Sequence, residues 1–360
     1  MNTWRKDLKF ILPAFLIWRI SLYGIELVSR GWWQPQFLFL MSHWANFDGL
    51  QYIVIATQGY LQYQQAYFPL YPILIALVHI LNPGFPPVTT ALIISHLAFF
   101  AGLLCFYRFA RQYGEDVARW ATLLLLTFPM SYYFASAYTE SLFFCLVAAF
   151  LLLCRNKYFL WAAVIGMFAS ATRLVGILLL PYLVWEMWRD GRKWGMSVAL
   201  LAPLGLAAYM VFLLYTTGDP LAFIHVQPYF GAHRTGGTIV LLPQVLWRYF
   251  KILTSVSPRT FSYWVAVSEL AALFYGAYVI LRALLKREFV ALSIYCAAVL
   301  LLPTLTGTLS SLPRYILSAF PLFIVTAKLH NDRIKIAMFA IGAVGLTVAT
   351  SFYLSGYFIS

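Results

Sequence analysis

Long apolar runs separated by short basic turns decide what this chain can become. Stretches almost free of charge fall at about residues 10–29, 88–107, 120–134, 139–154, 158–172, 174–188, 196–216, 263–281, 289–306, 313–327 and 336–355. A helix needs about 20 apolar residues to cross the hydrocarbon core of a bilayer. Only 10% of the 360 residues are charged and 62% are hydrophobic. A soluble domain carries about 25% charged residues. With so little polar surface available, and a mean hydropathy of +0.79, the chain needs lipid as its solvent. The expectation is an all-α polytopic membrane protein, one domain over residues 1–360, crossing about eleven times.

The basic residues give this count an orientation. With the N-terminus in the cytoplasm, the cytoplasmic turns hold Arg5, Lys6, Lys9, Arg108, Arg111, Arg119, Arg155, Lys157, Arg189, Arg192, Lys193, Arg282, Lys286, Arg287, Lys328, Arg333 and Lys335, most of the 25 Lys and Arg. Every short cytoplasmic turn is then basic, as the positive-inside rule requires. Residues 70–82 are apolar too, but counting them as a span would invert every later turn. They are expected outside, at the interface or re-entrant. Two long external loops result, about 30–87 and 217–262, and the localisation expected is a cell (inner) membrane. The run after Lys9 lacks a small-x-small cleavage site and reads as an uncleaved first span.

The distribution of charge also narrows the function. A net charge of +13 spread over separate turns is no nucleic-acid surface. No Gly-rich phosphate loop occurs, and no internal repeat suggests an inverted-repeat transporter. Cys105, Cys145, Cys154 and Cys296 all lie in apolar runs, as small buried hydrophobes do. The chain has no N-x-S/T sequon.

Against this background a few polar residues stand out. The first external loop contains His43-Trp44-Ala-Asn-Phe-Asp48-Gly-Leu-Gln-Tyr52, and Asp48 is the only acid between Glu26 and Glu115. A carboxylate among rings at the water–lipid boundary can serve as a general base; equally, it can cap the amphipathic run 49–57. Tyr138-Thr-Glu140 opens an apolar helix, where the helix dipole favours an acid and where a sugar contact would also be placed. Arg173 lies in a polar break, Ser170-Ala-Thr-Arg173, between two runs too short to cross. Arg314, in Pro313-Arg-Tyr315, opens an apolar run on the outer side. Guanidinium groups placed against their topological bias are costly, and phosphate is their natural partner, although Arg314 could also snorkel to lipid headgroups. Arg19 has Glu26 two turns away. Gly218-Asp219-Pro220 reads as a turn capping the next helix.

These parts fit one reaction. A sugar on a lipid phosphate brings its own leaving group, so transfer needs a base for the acceptor hydroxyl and cations for the departing phosphate. The blocks Phe47-Asp-Gly-Leu-Gln-Tyr52, Gly59-Tyr60, Phe68-Pro-Leu-Tyr-Pro72, Tyr138-Thr-Glu-Ser141, Ala171-Thr-Arg-Leu-Val-Gly176, Gly218-Asp-Pro-Leu-Ala-Phe223 and Pro313-Arg-Tyr315 resemble, in order, those of PIG-V-like mannosyltransferases. These are relatives of GPI mannosyltransferase 2 in the GT-C glycosyltransferase class. The resemblance implies a GT-C bundle with interfacial helices in its first external loop, Asp48 as catalytic base, and Arg314 near the donor phosphate; Arg173 is expected on the phosphate by its own placement. His43, Trp44, Tyr52, Tyr138, Glu140, Asp219 and Tyr315 are the expected sugar or acceptor contacts. The donor would be a polyprenyl-phosphate mannose, and the acceptor a lipid or glycan hydroxyl on the non-cytoplasmic face. No cofactor beyond that lipid-linked donor is implied; a divalent metal stays open. Phe47 stands where the family usually has Trp, and the acceptor does not carry over. A lipid-linked-substrate transporter or flippase is the other reading, and a non-catalytic assembly factor the third.

Overall fold

The computed structural model describes residues 2–29, 42–230 and 234–359. Residues 30–41 of the first expected external loop and 231–233 of the second lie outside them. Among the described residues there are helices and turns but no strand. In order they are α1 (Asn2–Ser29), α2 (Asp48–Gln58), α3 (Leu70–Leu81), α4 (Pro87–Ala110), α5 (Glu115–Thr127), α6 (Glu140–Arg155), α7 (Phe159–Ser170), α8 (Leu179–Arg189) and α9 (Leu204–Thr217). Then come α10 (Ala222–His225), α11 (Leu242–Ser255), α12 (Phe261–Leu284), α13 (Val290–Thr304), α14 (Leu312–Ser318), α15 (Pro321–Leu329) and α16 (Asp332–Leu354).

Each apolar run of the sequence becomes a helix, but not always one crossing. Five helices are long and apolar enough to span a membrane, and up to seven spans result if each of two bent pairs is one. The remaining expected crossings fall on α5 to α8, which are 13, 16, 12 and 11 residues long and pack into the bundle. A proline ends the first of them. α5 stops at Thr127 because Pro129 follows Phe128, which takes an extended ψ of 136°, as a residue before proline does. The run 120–134 then continues as a 3₁₀ turn, Ser131–Ala135. At the 85° bend between α14 and α15, Pro321 takes the first helical position, where a missing N–H costs nothing.

α3 occupies the segment kept out of the span count. Its 12 residues reach about 18 Å, too short to cross. One side buries Tyr71, Pro72 and Ile75. Ile80 and Leu81 are exposed on the other, as suits a helix lying against lipid.

The core is aromatic. Phe99 of α4 stacks on Phe134 at 4.2 Å and meets Phe144 of α6 at 5.5 Å. The expected break after Ser170 is present: α7 ends there, and a 3₁₀ turn, Leu174–Leu178, leads into α8. Its tightness depends on Gly176, where a Cβ would run into the Ala169 carbonyl. Gly176→Ala should therefore push the turn carrying Arg173 off α7 and lower the melting temperature of the purified protein by several degrees. An unchanged melting curve would show that the turn relaxes freely.

Candidate active site

Asp48 is the first residue of α2, and it does not cap it. The cap position is Phe47, which makes no side-chain capping bond. The carboxylate turns away instead: Oδ1 accepts from the Tyr67 hydroxyl at 3.2 Å and Oδ2 from Arg314 Nη1 at 2.8 Å. Phe47 makes this possible by adopting φ 54°, a left-handed conformation costing a bulky residue about 1–3 kcal/mol. Several contacts hold it there. Its ring packs on Tyr353 at 6.2 Å and Phe358 at 5.2 Å. The neighbouring Asn46 donates to the Tyr353 carbonyl at 3.1 Å and accepts from the Tyr138 hydroxyl at 2.7 Å.

From Asp48 a chain of charges runs inward. Arg314, on α14, also reaches Glu140 Oε1 through Nε at 2.9 Å. Glu140 in turn pairs with Arg173 Nη1. Arg173 reaches Thr139 Oγ1 at 3.4 Å and lies over the Tyr315 ring at 5.3 Å. The Tyr133 and Tyr138 rings flank Arg314 at 5.2 and 5.6 Å. Two carboxylates thus alternate with two guanidinium groups and balance them. The two acids differ in access: the Glu140 side chain is 1% exposed and that of Asp48 22%. Of the two, only Asp48 lines the adjoining cavity. Burial, then the Asp48 charge, push the Tyr67 phenol well above its ordinary pKa, so it remains a donor to the carboxylate. Burial raises Tyr52 likewise, and its hydroxyl lies 3.4 Å from Thr139 Oγ1.

Asp48 opens on a cavity of about 810 Å³ whose walls include Tyr52, Arg173, Arg314 and Tyr315. It is the only acid on those walls among the described residues. Part of the wall comes from the second external loop and carries Arg234. That guanidinium donates to Gln227 Oε1 at 3.3 Å and Ser311 Oγ at 3.4 Å and forms no ion pair among the described residues. The turn leading into α14 is braced from behind. Tyr249 donates to Glu269 at 2.5 Å and accepts from the Leu309 amide at 3.1 Å, while Arg248 donates to the Gly307 carbonyl at 3.1 Å. Past α16 the chain folds back to the same region. Phe358 lines the cavity, and the Ile359 carbonyl accepts from Tyr132 at 2.8 Å and Tyr133 at 2.7 Å.

The structure thus gathers Asp48, Tyr52, Arg173, Arg314 and Tyr315 on the cavity, with Glu140 and Tyr138 directly behind. His43, Trp44 and Asp219 are not on its walls. Trp44 is a core residue whose indole donates to Glu26 at 2.9 Å, with Arg19 over its ring at 5.0 Å. Arg19 itself donates to His96 at 2.8 Å. His43 is buried beside Trp44. Asp219 accepts from the Leu221 amide at 2.9 Å and pairs with His225 at 2.6 Å. The His225 bond holds its carboxyl below the usual range, in the turn that leads into α10. Arg234 and Glu269 went unassigned in the sequence, since nothing local separates them from their neighbours. Among the described residues no three His, Cys, Asp or Glu side chains form a metal-binding group.

No family model matches the chain, and no curated protein matches its sequence. Solved structures do resemble it. The crystal structure of ArnT from Cupriavidus metallidurans bound to undecaprenyl phosphate matches at TM-score 0.51 and 15% identity, over 95% of this chain and 76% of that one. The apo structure of the same protein gives a TM-score of 0.49 at 15% identity, over the same shares. The likeness to the first is one of fold, and the chain is a multi-pass membrane protein with a GT-C fold.

Proposed function

We propose that this protein is a membrane glycosyltransferase that moves a hexose from a polyprenyl-phosphate donor to an acceptor hydroxyl with inversion. One observation carries the reading: among the described residues, one carboxylate and three guanidinium groups line one large cavity. Asp48 accepts the proton of the acceptor hydroxyl, whose oxygen attacks the anomeric carbon as the bond from that carbon to the phosphate oxygen breaks. The polyprenyl phosphate leaves with the bonding pair. Arg314, Arg173 and Arg234 face the charge that grows on it, in a site where little water screens them. ArnT has this fold and is bound to undecaprenyl phosphate, which supports a polyprenyl phosphate as the donor lipid here. The resemblance to PIG-V-like enzymes makes mannose the sugar. The positive-inside pattern puts the N-terminus in the cytoplasm and the cavity on the outer face of a cell membrane, where the donor arrives from the lipid side.

The test is direct. Protein reconstituted in nanodiscs with a polyprenyl-phosphate mannose and a membrane glycolipid extract should release polyprenyl phosphate and form a glycoside of inverted configuration, read by mass spectrometry and NMR. A donor carried across a proteoliposome bilayer unchanged, with no polyprenyl phosphate formed, would replace this reading with the transporter.

A further inference from the structure

A second cavity lies at the other end of the bundle. α6 starts at Glu140, behind the first cavity, and ends at Arg155, about 22 Å further along its axis. Arg155 lines a separate space of about 310 Å³. α13 spans the same two places, with Val290 at the second cavity and Leu302 at the first. By the distribution of basic residues, this end faces the cytoplasm.

Three arginines and two acids line the space: Arg155, Arg189, Arg287, Glu186 and Glu288. Arg189 is committed to Glu186, at 2.6 Å. Arg155 and Arg287 have no ion pair among the described residues, and neither has Glu288. One positive charge is therefore left over, which one phosphodiester would neutralise. Gln112, also on the wall, has its amide nitrogen buried without a hydrogen-bond partner among the described residues. Such a donor calls for an acceptor. Basic side chains at helix C-termini are ordinary, since they oppose the helix dipole and suit the cytoplasmic side. That explains the charges. It explains neither the hollow they surround nor the unpartnered amide within it.

We propose that this cavity binds the phosphodiester headgroup of an anionic membrane phospholipid, with Arg155 and Arg287 on the phosphate and the Gln112 amide donating to a headgroup oxygen. Basic pockets between membrane helices on this side suit anionic lipids. The size fits a headgroup, and the acyl chains would lie outside it. Trp185, on the cavity rim, and Trp188, one turn on, are exposed at the level where such rings anchor to the interface. This site is independent of the transfer reaction.

The lipid probes are phosphatidylglycerol and phosphatidylcholine, added in equal amounts to the delipidated protein; inorganic phosphate at millimolar concentration tests a soluble source. Phosphatidylglycerol should persist as a bound adduct in native mass spectrometry and raise the melting temperature several degrees more than phosphatidylcholine. The double variant R155Q/R287Q should lose that increment while keeping wild-type melting without lipid and wild-type activity. Equal effects of the two lipids, or an undiminished increment in the variant, would overturn the proposal. So would inorganic phosphate reproducing the whole shift, because the ligand would then be a soluble phosphate and not a lipid.

Discussion

Asp48→Asn should lower kcat for sugar transfer about a thousandfold, within the range that a positioned general base supplies, while the KM for the donor changes little. The substitution keeps the shape of the side chain and its oxygen toward Tyr67, so the protein should insert. Its amide then faces Arg314 in place of a charge, and the variant should melt below wild type. The other acid of the site cannot take over: Glu140 is held by Arg173 and Arg314 and closed off from the cavity. Single-turnover kinetics on the reconstituted variant would check this. A kcat within tenfold of wild type would mean that the acceptor loses its proton elsewhere, and Asp48 would keep only its ion pair.

The second large effect falls on stability. Arg314 bridges both carboxylates at 2.8 and 2.9 Å, so Arg314→Gln leaves two acids facing Arg173 alone. Removing one partner from a buried ionic group costs about 3 kcal/mol or more. The variant should therefore melt far below wild type, besides losing transfer. Adding Asp48→Asn to it removes the surplus negative charge and leaves Glu140 and Arg173 as a balanced pair. The double variant should regain more than half of the lost stability while staying inactive. This non-additivity is what a shared network predicts. Simple addition of the two effects would show that Arg314 acts on the phosphate without supporting the fold.

The sequence revealed the groups of this site better than their partnerships. Asp48, Glu140, Arg173 and Arg314 were legible because a charge next to apolar runs is costly and must have a reason. The pairing of Asp48 with Arg314 was not, since 266 positions separate them and only the packed bundle brings them together. His43 and Trp44 lie close to Asp48 in sequence and yet serve the core, because the turn at Phe47 sends the chain in a new direction. Arg173 was expected on the phosphate. It lines the cavity but is already engaged by Glu140, whereas Arg234, one of several look-alike residues in its loop, forms no ion pair among the described residues. The lengths of α5, α7 and α8 were overestimated for a related reason. Hydropathy registers apolar residues whether they continue a helix or a 3₁₀ turn, and it does not see where proline cuts the hydrogen-bond ladder.

The return of the chain after α16 has a mechanical consequence. Ile336, Ile341, Val344 and Val348 of that helix are exposed on a surface that meets the acyl chains. The residues just beyond its end hold Phe47 next to Asp48 and the tyrosine beside Arg314. Membrane spans tilt to match the thickness of the bilayer around them. A change in the tilt of α16 would reach the ring that keeps Phe47 strained, and through it the aim of the carboxylate. The turnover of this protein would then report the thickness of its membrane, with no separate sensing domain.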